Sequence, residues 1–100
     1  MVKHIVFWKL HDFAEGRNKK ENAFRMKRWL ENLKLTISKI DYLEVGINFN
    51  DSDDAYDIVL YSEFKDKASL EIYQYHPEHA QFKEKIKSIR SEKKVVDYEI

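Results

Sequence analysis

The segment Tyr73-Gln-Tyr-His76-Pro77-Glu78-His79 concentrates more chemistry than any other stretch of the chain. Two imidazoles and a carboxylate flank the chain's single proline. Proline disfavours helical backbone at the residue before it and suits the first turn of a new helix. A helix starting there places His79, Phe82, Ile86 and Ile89 on one stripe, at steps of three, four and three. His79 thus falls where a hydrophobe is the usual occupant. An imidazole on that stripe must find a hydrogen-bond partner or bear a desolvation cost. Its pKa near neutrality suits it to take or give a proton. From spacing alone, a core histidine with one hydrogen bond is the commoner occupant of such a position. His4 is the second such residue, sharing a strand face with Val2, Val6 and Trp8. Asp57 could orient an imidazole if its face matches. Tyr61, Tyr73 and Tyr98 could donate hydroxyl hydrogen bonds into the same space, though each alone is more often a core or interface tyrosine.

Other chemistries are poorly served. Cys is absent, which excludes thiol catalysis, disulfides and Cys-ligated metal sites. His76 and His79 stand three apart, but the proline break spoils the regular geometry a metal pair needs. Asp51-Ser-Asp53-Asp-Ala-Tyr56-Asp57 resembles the start of a calcium loop but has Tyr56 at the glycine position and Ser62 at the position of the closing glutamate. No phosphate-binding glycine loop, nucleophile elbow or HExxH motif occurs. The expectation is a site with no metal and no cofactor.

Charge narrows the partners. The 18 basic and 18 acidic residues cancel to a net charge of zero, so no bulk field holds nucleic acid or anionic lipid. No apolar run approaches the ~20 residues of a membrane span. The opening Met1-Val-Lys-His is not a signal peptide, since charge and His interrupt any apolar core, and the default location is cytoplasmic. The neutrality nevertheless sums unlike parts. Residues 1–40 hold ten Lys/Arg against four Asp/Glu, whereas residues 41–80 hold two against ten. These are either solvated faces or surfaces that meet within the protein or across a subunit contact.

The elements that must carry these residues are regular. One hundred residues with two glycines and one proline fit a single domain over 1–100. Val2–Leu10 reads as a strand apolar on both faces. Ala23, Met26, Leu30, Leu33, Ile37 and Ile40 form one helical stripe over residues 19–40, with Asn18 and Glu21 close to a capping box and a weak point at Thr36–Ser38. Asp41–Asn50 alternates as a strand with Leu43, Val45, Ile47 and Phe49 on its dry face. Tyr56–Phe64 follows as its hairpin partner. Lys65–Tyr75 and a segment from Pro77 to about Arg90 read as helices, and Lys94–Ile100 as a last strand. The order β-α-β-β-α-β is the α+β, ferredoxin-like plan, a four-stranded antiparallel sheet with helices on one face. The other face would carry Ile5, Phe7 and either Ile58/Leu60 or Val59/Tyr61, a large apolar patch whose cheapest cover is a second copy. A homodimer through the sheet face is expected. Single-stranded RNA binders share this strand order, but the third strand here has no glycine and two acids, which would repel phosphate.

The chain resembles the stress-responsive A/B barrel (Dabb) family. The resemblance is carried by Met1-Val-Lys-His-Ile-Val-Phe-Trp-Lys9, Glu44-Val-Gly-Ile-Asn-Phe-Asn50, Ala55-Tyr-Asp-Ile-Val-Leu-Tyr-Ser-Glu-Phe64, Tyr73-Gln-Tyr-His-Pro-Glu-His79 and Val95-Val-Asp-Tyr-Glu99. It implies a dimeric α+β barrel, with two ferredoxin-like subunits packed sheet to sheet. It also implies a small organic ligand held between sheet and helices, although most members have no defined activity. In the family's plant polyketide cyclases the second histidine of His-Pro-x-His is the base, which matches His79. A tyrosine matching Tyr73 and a first-strand histidine matching His4 join it. A further pocket histidine falls on Asp57, a departure. Two readings follow: a ligand-binding dimer, or a cofactor-free lyase or cyclase with catalytic residues His79, Tyr73 and His4. Candidate ligand contacts are His4, Trp8, Asp57, Tyr61, Tyr73, His76 and His79. A pocket touching both His79 and His4 would favour the enzyme, and a filled core around His79 the binder.

Overall fold

The computed structural model describes residues 1–100. Strand β1 (Val2–Leu10) leads through a small hairpin, β2 (Phe13–Ala14) and β3 (Arg17–Asn18), into helix α1 (Lys19–Thr36). Then come β4 (Tyr42–Ile47), β5 (Ile58–Phe64), helices α2 (Lys67–Gln74) and α3 (Pro77–Ile86), and β6 (Arg90–Glu99). The main sheet has the order β4-β5-β1-β6, antiparallel throughout, with the helices on one face. This is the ferredoxin-like α+β arrangement expected from the sequence.

Local chemistry explains the boundaries. Glu15 and Gly16 both take positive φ, 55° and 73°, between the pairs Ala14↔Arg17 and Phe13↔Asn18. Two left-handed residues in a two-residue loop suit a tight hairpin. Asn18 accepts from the Glu21 N–H at 2.9 Å while the Glu21 carboxylate accepts from the Asn18 N–H at 3.1 Å, a complete capping box. Helix α1 ends at Thr36 rather than running to residue 40. β-Branched Thr36 and Ile37 disfavour continuation, and Ile37 and Ile40 reach the core from the following turn instead. Phe49 was expected on the dry face of β4, but that strand stops at Ile47 and Phe49 is fully exposed. Strand β6 starts at Arg90, earlier than expected. Its run of Ser, Glu and Lys hides any alternation, yet it pairs with β1 from Glu99 back to Arg90, with an irregularity between Lys9 and Leu10.

The core lies between sheet and helices. Val2, Val6, Trp8 and Leu10 of β1 and Ile58, Leu60 and Phe64 of β5 meet Met26, Leu30 and Leu33 of α1 and Phe82 and Ile86 of α3. Each such side chain contributes about 1.5–3 kcal/mol on burial. The opposite sheet face holds Ile5, Phe7, Val59 and Tyr61, half-buried, beside the more exposed Val96 and Tyr98. The pleat therefore selects Val59/Tyr61, not Ile58/Leu60, for that face. Of the ion pairs within the chain, only Lys19–Asp57 at 3.6 Å joins the basic first part to the acidic middle. No helix is long and apolar enough to cross a membrane.

Candidate functional site

A cavity of about 470 Å³ opens between β1, β6 and the α2–α3 pair. Its walls include His4, Trp8, Tyr73, His79 and Phe82, and its mouth includes Lys83, Lys87, Arg90 and Lys93. The volume falls within the range of small-molecule sites. A depression of about 590 Å³ lies on the opposite sheet face, around Phe7, Gly46, Phe49 and Val59, but its only ionisable lining groups are Asp54 and Tyr56.

His79 reaches the cavity because Pro77 restarts the helix one residue after the His76 cap. The new helix turns Phe82 and Ile86 into the core and leaves His79 half-buried at the end of the same stripe. Its Nδ1 lies 3.0 Å from the Gln74 carbonyl oxygen. A carbonyl can only accept, so Nδ1 carries the proton and the lone pair belongs to Nε2. Loss of solvent lowers the His79 pKa to about 4, assisted by the positive charges of Lys83 and Lys93 and opposed by the Gln74 hydrogen bond. The ring is uncharged at neutral pH.

Tyr73, on α2, packs its ring 4.6 Å from that of His79 and 5.9 Å from that of His4. It is buried, and burial raises its phenol pKa, so the hydroxyl stays protonated as a donor. His4 is buried on the inward face of β1, and its Nδ1 meets the Asp97 carboxylate of β6, its register partner. A carboxylate accepts, which leaves His4 Nε2 as the nitrogen open to other contacts. The Ser62 hydroxyl donates to the His4 carbonyl at 2.8 Å and steadies that strand position. Trp8 is buried beside Phe82, and its indole N–H has no acceptor. His4, Tyr73 and His79 thus form one row of rings, with Trp8 on the same wall. An uncharged imidazole base, a phenol donor and a carboxylate-oriented imidazole can together move a proton and hold an oxygen that gains charge.

The structure does not bring Asp57, Tyr61 or His76 into this row. Asp57 precedes β5 at the far end of β1, where the β1–β5 pairing has ended. Its carboxylate accepts the Leu10 N–H at 2.7 Å and pairs with Lys19. Tyr61 alternates onto the opposite sheet face and donates to Glu63 at 2.6 Å. His76 caps α3, its Nδ1 accepting the Glu78 N–H at 3.1 Å. The carboxylate that does meet an imidazole is Asp97, which sequence reasoning missed. A signal existed: Val96, Tyr98 and Ile100 alternate, which leaves Asp97 on the face that includes His4. The basic mouth was also missed, since it combines one face of α3 with the start of β6.

Comparison with known proteins adds context. The profile of the Stress responsive A/B Barrel Domain, Dabb, matches residues 2–100. No curated protein sequence matches the chain. Among solved structures, a dimeric protein of unknown function with a ferredoxin-like fold from Bacteroides fragilis shares 35% identity, covering 99% of this chain and 95% of that one, with a TM-score of 0.86. A Dabb family protein from Mesorhizobium loti shares the fold at 20% identity and a TM-score of 0.75, covering 99% and 95%. A hydroxynitrile lyase from Passiflora edulis does so at 19% identity and a TM-score of 0.81, covering 99% and 92%.

Proposed function

The chain belongs to the stress-responsive A/B barrel domain (Dabb) family, and on that premise we propose that its cavity takes a small organic carbonyl compound and that His79 removes a proton beside the carbonyl. The observation that carries this is a single cavity lined by both His79 and His4, with Tyr73 between them. The proton passes from carbon to His79 Nε2. The electron pair of the broken C–H bond moves into the carbon skeleton, and the carbonyl oxygen takes the negative charge. Tyr73, as a protonated phenol, is the candidate donor to that oxygen, with His4 oriented by Asp97 as the second contact. Recombination of the enolate with a carbonyl within the same molecule would be a cyclisation, and expulsion of a leaving group a lyase reaction. No cofactor enters this scheme.

The active unit we propose is a homodimer closed through the sheet face that carries Ile5, Phe7, Val59 and Tyr61. Support comes from that unpartnered apolar face and from the dimeric state given for the 35% identical Bacteroides fragilis protein.

A second reading, ligand binding without turnover, is favoured by the low basicity of the desolvated His79. Proton exchange separates the two. Aryl ketones and β-keto esters incubated with the protein in deuterium oxide are followed by NMR at the α-carbon. The wild type should accelerate exchange, and His79→Ala should lose about a hundredfold or more of that acceleration with its fold intact. Exchange that survives His79→Ala unchanged removes His79 as the base.

A further inference from the structure

Three cations at the cavity mouth, Lys83 of α3 and Arg90 and Lys93 of β6, have no carboxylate within ion-pairing distance, while Lys87 reaches Glu84 only at 4.0 Å. Cations without a carboxylate partner occur elsewhere too, Lys20, Lys39 and Lys94 among them; what sets Lys83, Arg90 and Lys93 apart is that all three gather at one cavity. The unpaired charges also crowd one another. The Lys93 ammonium is held below its ordinary pKa by loss of solvent and then by Lys83 and Arg90, with only Asp97 opposing. The His79 imidazole responds to the same Lys83 and Lys93 charges. Like charges gathered at a cavity raise the local concentration of a counter-charged ligand and cost energy while the site is empty. The walls behind them are aromatic: Tyr73, His79, Phe82 and Trp8.

From this geometry we infer that the ligand is an organic anion, with a planar or aromatic body against Tyr73, His79 and Phe82 and an anionic oxygen group at the mouth among Lys83, Arg90 and Lys93. The inference rests on the ligand-binding reading of the cavity and names its substrate class. An anion there offsets the Lys83 and Lys93 charges, which after loss of solvent are the lesser causes of the low pKa of His79. The other charged or titratable groups around it are Tyr73 on α2, His4 on β1 and Asp97 on β6.

The test compares 1-naphthoate with its neutral near-isostere 1-naphthamide by calorimetry and backbone-amide NMR at low salt. Naphthoate should bind about tenfold tighter, the yield of two half-exposed charge pairs of ordinary strength. It should shift the signals of Tyr73 and His79, and the preference should fall to within about twofold in Lys83→Gln/Lys93→Gln. The control Lys20→Gln/Lys39→Gln removes the same net charge from exposed positions away from the cavity and should keep the preference. Equal affinity for both probes overturns the anion class and leaves the cavity as a ligand site. A preference that survives Lys83→Gln/Lys93→Gln, or falls equally in the control, overturns the role of the mouth. Failure of both probes to bind at millimolar concentration overturns the inference and the ligand-binding reading together.

Discussion

At the residue scale, the site depends on which nitrogen of each histidine is occupied. Gln74 takes the Nδ1 proton of His79 and Asp97 that of His4, so both rings keep Nε2 for other contacts. Asp97→Ala should leave His4 buried but unoriented. Its carboxylate is 40% exposed, but the buried His4 N–H loses its acceptor, so the stability loss should be about 1–2 kcal/mol, and any His79-dependent exchange should fall about tenfold. Urea denaturation and α-proton exchange on the same samples check the two effects. The depressed His79 pKa also has a stability consequence. The unfolded chain takes up this proton near pH 6.5 and the folded chain only near pH 4. Between those values the unfolded state binds more protons, so His79 makes the fold less stable as pH falls. His79→Gln removes that term. The stability gap between it and the wild type should move in the variant's favour from pH 7 to pH 4.5. A gap independent of pH would mean a well-solvated His79.

At the scale of elements, the α2–Pro77–α3 junction does the positioning. His76 spends its Nδ1 on capping, so His76→Ala should cost about 1 kcal/mol in urea denaturation while leaving affinity for a cavity ligand within about twofold. An affinity loss much larger than that would place His76 in the binding site. Much of this architecture was legible in the chain. The structure follows the apolar steps of α1 as far as Leu33, the alternation of β4 as far as Ile47 and that of β5, and the proline break. What was not legible came from tertiary context. Strand β6 owes its first residues to pairing with β1, not to any pattern of its own. Asp57 was read as a possible partner for an imidazole, but the end of the β1–β5 pairing gives its carboxylate another use at the Leu10 N–H. The row of His4, Tyr73 and His79 was named from the sequence; the distances that join them and the basic mouth needed three dimensions.

At the scale of the whole molecule, the open sheet face sets the expected assembly. Ile5, Phe7, Val59 and Tyr61 lie side by side across β1 and β5, and Gly46 of β4 lets Val59 approach so closely that an added Cβ would stand 3.2 Å from it. A specific dimer buries about 800 Å² per partner. Light scattering at micromolar concentration should therefore give twice the chain mass of 12.1 kDa for the wild type and the monomer mass for Val59→Asp. A monomeric wild type would remove the dimer.

The proposed proton abstraction depends on His79 holding an uncharged imidazole with a free Nε2. One NMR titration of the ring nitrogens, from pH 8 to pH 3.5 on the ligand-free protein, reads both properties. The expected result is a neutral ring with its proton on Nδ1 down to about pH 4. A ring that titrates near 6.5, or carries its proton on Nε2, would contradict it.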